Sequence, residues 1–414
     1  MGTLAGCFWM AENRLRAAGV KRVVGKRDKR LIAGAIAGVE KRFLHIQVGF
    51  AKIVSCRLFV HLCSSNIAAI MGFDIPMKTT LLTVGLALFM SLCAHAQEKL
   101  SVGWSIYPGW QDNALMGLKL EPGKPSFLER RTKEAGAQVE IHKFKEYTAS
   151  IDALVAGKLD AVTLTLSDAM GIPLDSGVPV TCILINDYSN GNDAIAAPKG
   201  SKFEDLKGKS ILCEQYSVSQ YLIWRALQIK GQKSDFVTFR NTPGDECSKV
   251  FLTAVNTASP VTVATWNPHI LRIMASGKAE LLFTSKEIPG EIVDMVVVRT
   301  DRIKGRENAI AAYVKAHYDV MKYLTDPATK ERAIRAMAST SELTPADAPL
   351  FSEMLAATHF YYTPEDTIKF MESPELKAQH DRIRTFLKEV GAFKGANPDS
   401  YQVTFDTSFI KQVK

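Results

Sequence analysis

Three aromatic side chains, Trp104, Tyr107 and Trp110, crowd into the seven residues of "WSIYPGW", and a fourth, Trp266, opens the triplet "WNP". Two carboxylates, Asp187 and Asp193, bracket the turn-forming stretch "NDYSNGND", and a third, Glu214, follows the aliphatic run "KSILC". Carboxylates accept paired hydrogen bonds from planar N–H groups, and aromatic faces attract cations at roughly 0.5–2 kcal/mol per contact once water is excluded. Such a set suits a small planar cation, guanidinium or an amidine. Urea, similar in shape but neutral, is the nearest competitor, and a heteroaromatic amine is the next. The stretches concerned, 103–112, 163–168, 186–193, 214–219 and 265–268, hold no Arg or Lys. Nitrate, a sulfonate or taurine would call for Arg, Lys or a ring of donors, so anions are the contrasting alternative.

Each of these residues also has a plainer structural explanation. An aromatic of the first loop can staple the helix behind it. Thr163, Thr165 and Ser167 offer hydroxyls, but Ser167 or Asp168 can simply cap the helix that follows. One of Ser217 and Ser219 serves as a cap in the same way. Turn chemistry accounts for Asn190 and Gly191, leaving Asp187, Asn192 and Asp193. Pro268 at a helix start makes Asn267 a natural cap and leaves Trp266 to face a cleft or to pack. The candidate ligand set is Trp104, Tyr107, Trp110, Thr165, Asp187, Asn192, Asp193, Glu214, Ser217, Trp266 and Asn267.

The elements that must position this set recur in one order. "KLSVGWS" reads as a strand, "FLERRTKEAG" as a helix ended by Gly136, "QVEIHKF" as a strand, "KEYTAS" as a polar link, "IDALVAGKL" as a helix and "DAVTLTL" as a strand. The order returns downstream: strand "KSILCE", helix "SVSQYLIWRALQIKG", strand "FVTFR", link "NTPGDE", helix "CSKVFLTAVNT", strand "PVTVATW". Alternating strands and helices predict parallel sheets flanked by helices, here two α/β lobes. Two extended apolar segments, "VTCILINDYSNGNDAIAAPKG" and "LLFTSKEIPGEIVDMVVVRTD", are placed to cross between the lobes and to act as hinges. Residues 304–414 are helical in period with an irregular tail that packs back on the first lobe. The expected division is 97–187 with 294–414 as lobe 1 and 188–293 as lobe 2. In open α/β sheets, ligands sit outside the carboxyl ends of the strands, which is where the candidate loops fall.

This order, with "VGWSIYPGW", "NDYSNGND", "CEQYSVSQYLIWRAL" and "VATWNP", resembles the type II periplasmic binding proteins of ABC importers, of the nitrate/sulfonate/taurine type. Within that type it looks like the receptors found beside urea- or guanidine-carboxylase genes. The resemblance covers essentially 98–400 and implies a periplasmic receptor, acting as a monomer, that binds a small molecule in the interlobe cleft and delivers it to a membrane permease. It implies no cofactor, metal or nucleic acid. The stretch "GLKLEPGKPSF" departs from the family pattern.

Charge, cysteines and missing motifs exclude other classes. Of 51 basic and 43 acidic residues, 13 and 4 fall in 1–96, leaving 38 and 39, so the +8 net charge does not indicate a nucleic-acid-binding surface. "MKTTLLTVGLALFMSLCAHAQ" has the positive start at Lys78, the apolar run Leu81–Leu92 and the small residues Ala94 and Ala96 of a secretory leader cleaved before Gln97. Residues 1–76 ahead of it are expected to come from a start codon assigned too early. Cys182, Cys213 and Cys247 leave at least one thiol free in an oxidising compartment, and a Cys213–Cys247 bridge is left open. There is no G-x-S-x-G, H-E-x-x-H or phosphate-loop motif, and His142, His269, His317, His359 and His380 are scattered. Rival readings are a sensory receptor and, since it shares the resembled fold, a thiamine-pyrimidine-synthase-like enzyme, whose cysteine-rich motif is missing.

Overall fold

Leu100 and Val102 alternate with Lys99 and Ser101, and this period of two builds β1 (Lys99–Trp104) with its apolar side inward. The structure, a computed structural model, describes residues 97–341, 343, 348–395 and 397–413. The expected leader 77–96 and the segment 1–76 lie outside the described residues.

After β1 come α1 (Asp112–Gly117) and α2 (Phe127–Ala135). The Ser126 hydroxyl accepts from the Glu129 amide while the Glu129 carboxylate accepts from the Ser126 amide, which starts α2. Gly136, at φ 63°, ends it in the left-handed conformation that glycine adopts without penalty. Next are β2 (Gln138–Lys143), α3 (Tyr147–Val155), β3 (Ala161–Thr165) and α4 (Leu166–Ala169). One expectation is corrected here: Tyr147–Ser150, read as polar link, is the first turn of α3.

β4 (Val180–Ser189) leads directly into β5 (Asp193–Pro198). The second repeat follows as β6 (Ser210–Cys213), α5 (Val218–Ile229), β7 (Thr238–Asn241), α6 (Cys247–Ala254), β8 (Thr262–Trp266) and α7 (His269–Ala275). β9 (Ala279–Thr284) and β10 (Val293–Arg299) make the return, and α8 (Glu307–Thr325), α9 (Lys330–Thr340), α10 (Ala348–Ala356), β11 (Thr358–Phe360), α11 (Pro364–Met371), α12 (Pro374–Glu389) and β12 (Thr404–Phe405) complete the chain.

The first sheet has the order β11-β4-β10-β3-β1-β2, with β12 also on β4, and the second has the order β7-β6-β8-β5-β9. The repeats pair in parallel as expected, β1 with β2 and β3, and β6 with β7 and β8. The sheets are nevertheless mixed. Each crossover segment supplies strands that enter antiparallel, β10 between β3 and β4, and β5 between β8 and β9. β10 is buried from Val293 to Val298, which explains its nearly unbroken apolar run.

The two crossings are stitched together. Ser285 Oγ lies 2.7 Å from Ser189 Oγ and accepts from the Gly191 amide at 2.7 Å. Gly191 has φ 128°, and a Cβ there would lie 3.3 Å from Ala357 Cβ, so other side chains are strained at this point. Behind the crossings α12 rests on α5: Phe386 packs its ring 5.4 Å from Tyr221 and 5.6 Å from Trp224. Trp224 donates to Glu389 at 2.8 Å, while Glu291 accepts from Tyr221 at 2.6 Å and from Nε and Nη2 of Arg225 at 2.6 and 2.8 Å. Cys182, Cys213 and Cys247 are free and buried, so the bridge left open above does not form.

Candidate functional site

Strand register brings the carboxylates together. On the first sheet Asp294 is the cross-strand partner of both Asp187 on β4 and Thr165 on β3, forming a rank of three across adjacent strands. On the second sheet Asp193 pairs with Trp266. Both ranks sit where the strands run into the crossings, and between them lies a narrow pocket, about 280 Å³ when the space open to solvent at its mouth is included. It is lined by Tyr107, Trp110, Tyr147, Thr165, Ile292 and Asp294 from one side and Asp193, Val218 and Trp266 from the other, with no Lys or Arg among them.

The aromatic wall is continuous. Tyr107 packs on Trp110 at 5.3 Å, Trp110 on Tyr147 at 5.3 Å, and Tyr147 edge-on to Trp266 at 5.9 Å, so the chain of rings reaches from one sheet to the other. Tyr147 is fixed because its hydroxyl donates to Asp168 at 2.7 Å and accepts from the Thr165 amide at 3.1 Å. Two glycines permit the close approaches. A Cβ on Gly109 would stand 2.1 Å from Asp187 Oδ2, and one on Gly244 would stand 2.0 Å from Trp266 Cη2.

At hydrogen-bond geometry several groups here lack a protein partner: the Tyr107 hydroxyl, Trp110 Nε1, both oxygens of Asp187, and Oδ2 of Asp193 and of Asp294. All five residues are at most 4% exposed. Buried polar atoms are normally paired, so these oxygens, the hydroxyl and the indole N–H form an unusual concentration of unsatisfied groups.

The carboxyls respond to that environment. Burial, followed by the charges of Asp187 and Asp193, pushes Asp294 well above the usual carboxylate range. Burial raises Asp187 likewise, with the charges of Asp112 and Asp193 adding to it and the adjacent Asp294 carboxyl opposing. Asp193 is pushed up to about 7 by burial and the Asp168 charge against the pull of Ser189. Burial lifts Asp168 to about 6 despite the hydroxyls of Thr165 and Tyr147. Each such group binds its proton more tightly folded than unfolded, so it removes stability as pH rises from the unfolded value near 4 to the folded one. The ligand-free protein is therefore expected to lose stability through these two groups between about pH 4 and 7. Buried His269 and His380, held down to about 4, pull the other way below pH 6.5. The diagnostic is the difference between wild type and Asp193→Asn: urea melts should show a shallower loss in the variant, and identical slopes would refute this role for Asp193.

The remaining expected residues divide. Thr165 lines the cavity but also caps α4, accepting from the Asp168 amide at 3.2 Å. Glu214 is partly buried outside the lining, and burial and then the Asp168 charge raise its carboxyl to about 7. Ser217 caps α5 and does not line the pocket: it accepts from the Ser219 amide at 3.2 Å and donates to the Glu214 carbonyl at 2.7 Å. Trp104 is buried beneath Lys143, away from the cavity. Asn192 and Asn267 bind each other at 2.9 Å, Asn192 also donates to Thr358 at 2.7 Å, and Asn267 accepts from the Leu271 amide of α7. Those two asparagines brace the crossing rather than line the cavity.

Asp294, Tyr147, Val218 and Ile292 line the pocket without being among the residues expected from the sequence. Asp294 had a signal, a lone acid inside "VDMVVV". A supporting network also went unread: fully buried His317 lies 2.6 Å from Asp112, which accepts from Asn186 and Asn113 at 3.2 Å, while Tyr313 donates to Asn113 at 2.7 Å. It ties α1, and with it the aromatic loop, to α8 and β4. Among the described residues no group of His, Cys, Asp or Glu is arranged to hold a metal ion.

Comparison with known proteins places this architecture. A model of the NMT1-like family matches residues 129–338, half of the chain. The chain belongs to the NMT1-like family. No curated protein matches it. Among solved structures, this NMT1-like chain is similar to the ligand-binding component of an ABC-type import system from Staphylococcus aureus, at 15% identity over 77% of this chain and 99% of that one, with a TM-score of 0.58. It is also similar to the periplasmic aliphatic sulphonate-binding protein of Escherichia coli, at 16% identity over 74% and 97%, TM-score 0.58. The alkanesulfonate-binding protein of Xanthomonas axonopodis pv. citri, solved with MOPS, gives 16% identity over 72% and 96%, TM-score 0.57. At such identities the likeness establishes the fold, that of the periplasmic binding proteins with two α/β lobes.

Proposed function

We propose that this chain is the solute receptor of an ABC-type importer, exported by the leader 77–96 to the periplasm, and that it binds a small planar nitrogenous cation such as guanidinium or an amidine between its lobes for delivery to a permease. It performs no catalysis in this reading. The observation that carries it is the set of buried, unpartnered carboxylate oxygens on Asp187, Asp193 and Asp294 beside a cavity walled by Tyr107, Trp110, Tyr147 and Trp266, with no basic side chain lining it. Planar N–H donors satisfy such oxygens in pairs, and the ring faces stabilise the charge. The solved relatives named for sulfonates handle anions; an anion here would meet carboxylates and no counter-charge. The resemblance to receptors of the urea- and guanidine-carboxylase type supports the same ligand.

Calorimetry with guanidinium, urea, taurine and nitrate tests this. Guanidinium should bind most tightly, and tight taurine or nitrate binding with no response to guanidinium would overturn the reading. A cation needs these carboxylates ionised, so its affinity should rise with pH through about 7, where Asp193 loses its proton, by up to tenfold per unit for each proton displaced. Urea should show no such rise.

Closure of the lobes would give the permease a surface that distinguishes loaded from empty receptor. With the crossings at Ser189–Asp193 and Thr284–Val293 as hinges, saturating guanidinium should reduce the radius of gyration in small-angle scattering. An unchanged profile would refute closure.

A further inference from the structure

Beyond the Tyr147–Trp266 contact the cleft opens into a second space, with about 550 Å³ of volume that includes its open mouth. Tyr147 and Trp266 line both, so the rings form a partition with the carboxylates behind it. The outer space lies at strand ends of both lobes: Ser105 follows β1, Lys145 follows β2, Trp266 ends β8 and His269 opens α7. Its charge pattern is the reverse of the inner one. Lys145, Lys249 and Arg272 line it against a single acid, Asp245.

Two further acids stand nearby without lining the space. Glu246 is engaged by Lys249 at 2.8 Å, and Glu146 is close enough to act on Asp245. His269 reports the local field. After burial, the charges that hold its ring neutral are those of Arg272 and Lys249, both positive. The inner chamber thus offers anionic groups with no cation, and the outer one offers cations from both lobes, on either side of one aromatic partition.

We propose that the full ligand is dipolar, with a planar cationic head among Asp187, Asp193 and Asp294 and an anionic tail, a carboxylate or sulfonate, reaching past Tyr147 and Trp266 to Lys145, Lys249 and Arg272. This rests on the cationic reading of the inner chamber and extends it to a substrate class, short ω-guanidino or ω-amidino acids. The tail charge also completes a bridge between lobes, since Lys145 belongs to one and Lys249 and Arg272 to the other. A ligand that spans both favours the closed form more than a head group alone.

Three probes with one head separate the possibilities: guanidinium, propylguanidinium and 3-guanidinopropionate, titrated calorimetrically into the wild type and into the Lys145→Gln/Lys249→Gln double variant. The carboxylate tail should improve affinity at least tenfold over the propyl tail in the wild type, and moderate salt should erode that gain because both lysines are exposed. In the double variant the gain should collapse while guanidinium binds as before. Equal or weaker binding of 3-guanidinopropionate, or a preference that survives in the double variant, overturns the basic vestibule and leaves the inner site standing. If none of the three probes binds, the cationic reading of the inner chamber fails and the vestibule fails with it.

Discussion

Asp294→Asn should weaken guanidinium binding by roughly a hundredfold, about 2.7 kcal/mol, while making the empty protein more stable. Both effects have one origin. Asp294 is 1% exposed, faces Asp187 across the β4–β10 ladder and is pushed well above the ordinary carboxylate range by burial and by the neighbouring charges. Without ligand, Asp294 must either hold a proton it would lose in the unfolded chain or keep its charge among like charges, and the folded state carries that cost. An amide of the same shape removes the repulsion but offers a cation one carboxylate fewer. Function and stability then move in opposite directions, as is common where a site is kept unsatisfied for its ligand. Calorimetry and thermal melts at pH 7 measure the two effects on one sample. Unchanged affinity, or affinity lost together with stability, would mean that Asp294 serves the fold rather than the ligand. Urea affinity should change far less.

The second large effect is expected at a residue that touches no ligand. Gly244→Ala would put a methyl group 2.0, 2.3 and 2.8 Å from Cη2, Cζ3 and Cζ2 of Trp266. The loop cannot retreat freely, because the Gly244 carbonyl accepts from Thr265 Oγ1 at 2.7 Å. The indole must move instead, and with it the partition against Tyr147. Affinity for guanidinium should fall by at least about tenfold, ~1.4 kcal/mol, with a changed tryptophan emission. Trp266→Ala should give a loss of similar size, and combining the two should add little, since both remove the same wall. Wild-type binding by Gly244→Ala would show that the indole is not part of the site.

Much of this architecture was legible in the chain. Period-two strands and capped helices fall within a few residues of their expected places because burial on one face imposes those periods directly, as in β1 and α2. The exceptions are instructive. Tyr147 was lost because "KEYTAS" is polar in composition, yet Tyr147, Ser150, Ile151 and Leu154 share the buried face of α3. Antiparallel β4 and β10 were lost because buried central strands lack alternation, and pairing direction depends on partners distant in sequence. Of the acids, Asp187 and Asp193 stood out beside turn residues. Asp294 looked like part of a crossover, and only the register that sets it between Asp187 and Thr165 shows what it faces. Ser217, Asn192 and Asn267 have the right residue types near the right place, but helix amides and the crossing engage their polar groups.

The way the strands interleave also sets an order of assembly. All strands of the second sheet lie between Asp193 and Thr284, whereas the first sheet waits for β10, which begins at Val293, and for β11 at Thr358–Phe360. Contacts between distant parts of a chain form slowly, and a polypeptide emerging from its N-terminus supplies them late. The later lobe therefore has every strand it needs first, and the earlier one stays an open half-sheet until the C-terminal third arrives. Asp187 and Asp294 meet only at that final pairing, so no partly made chain presents a finished trap for its ligand.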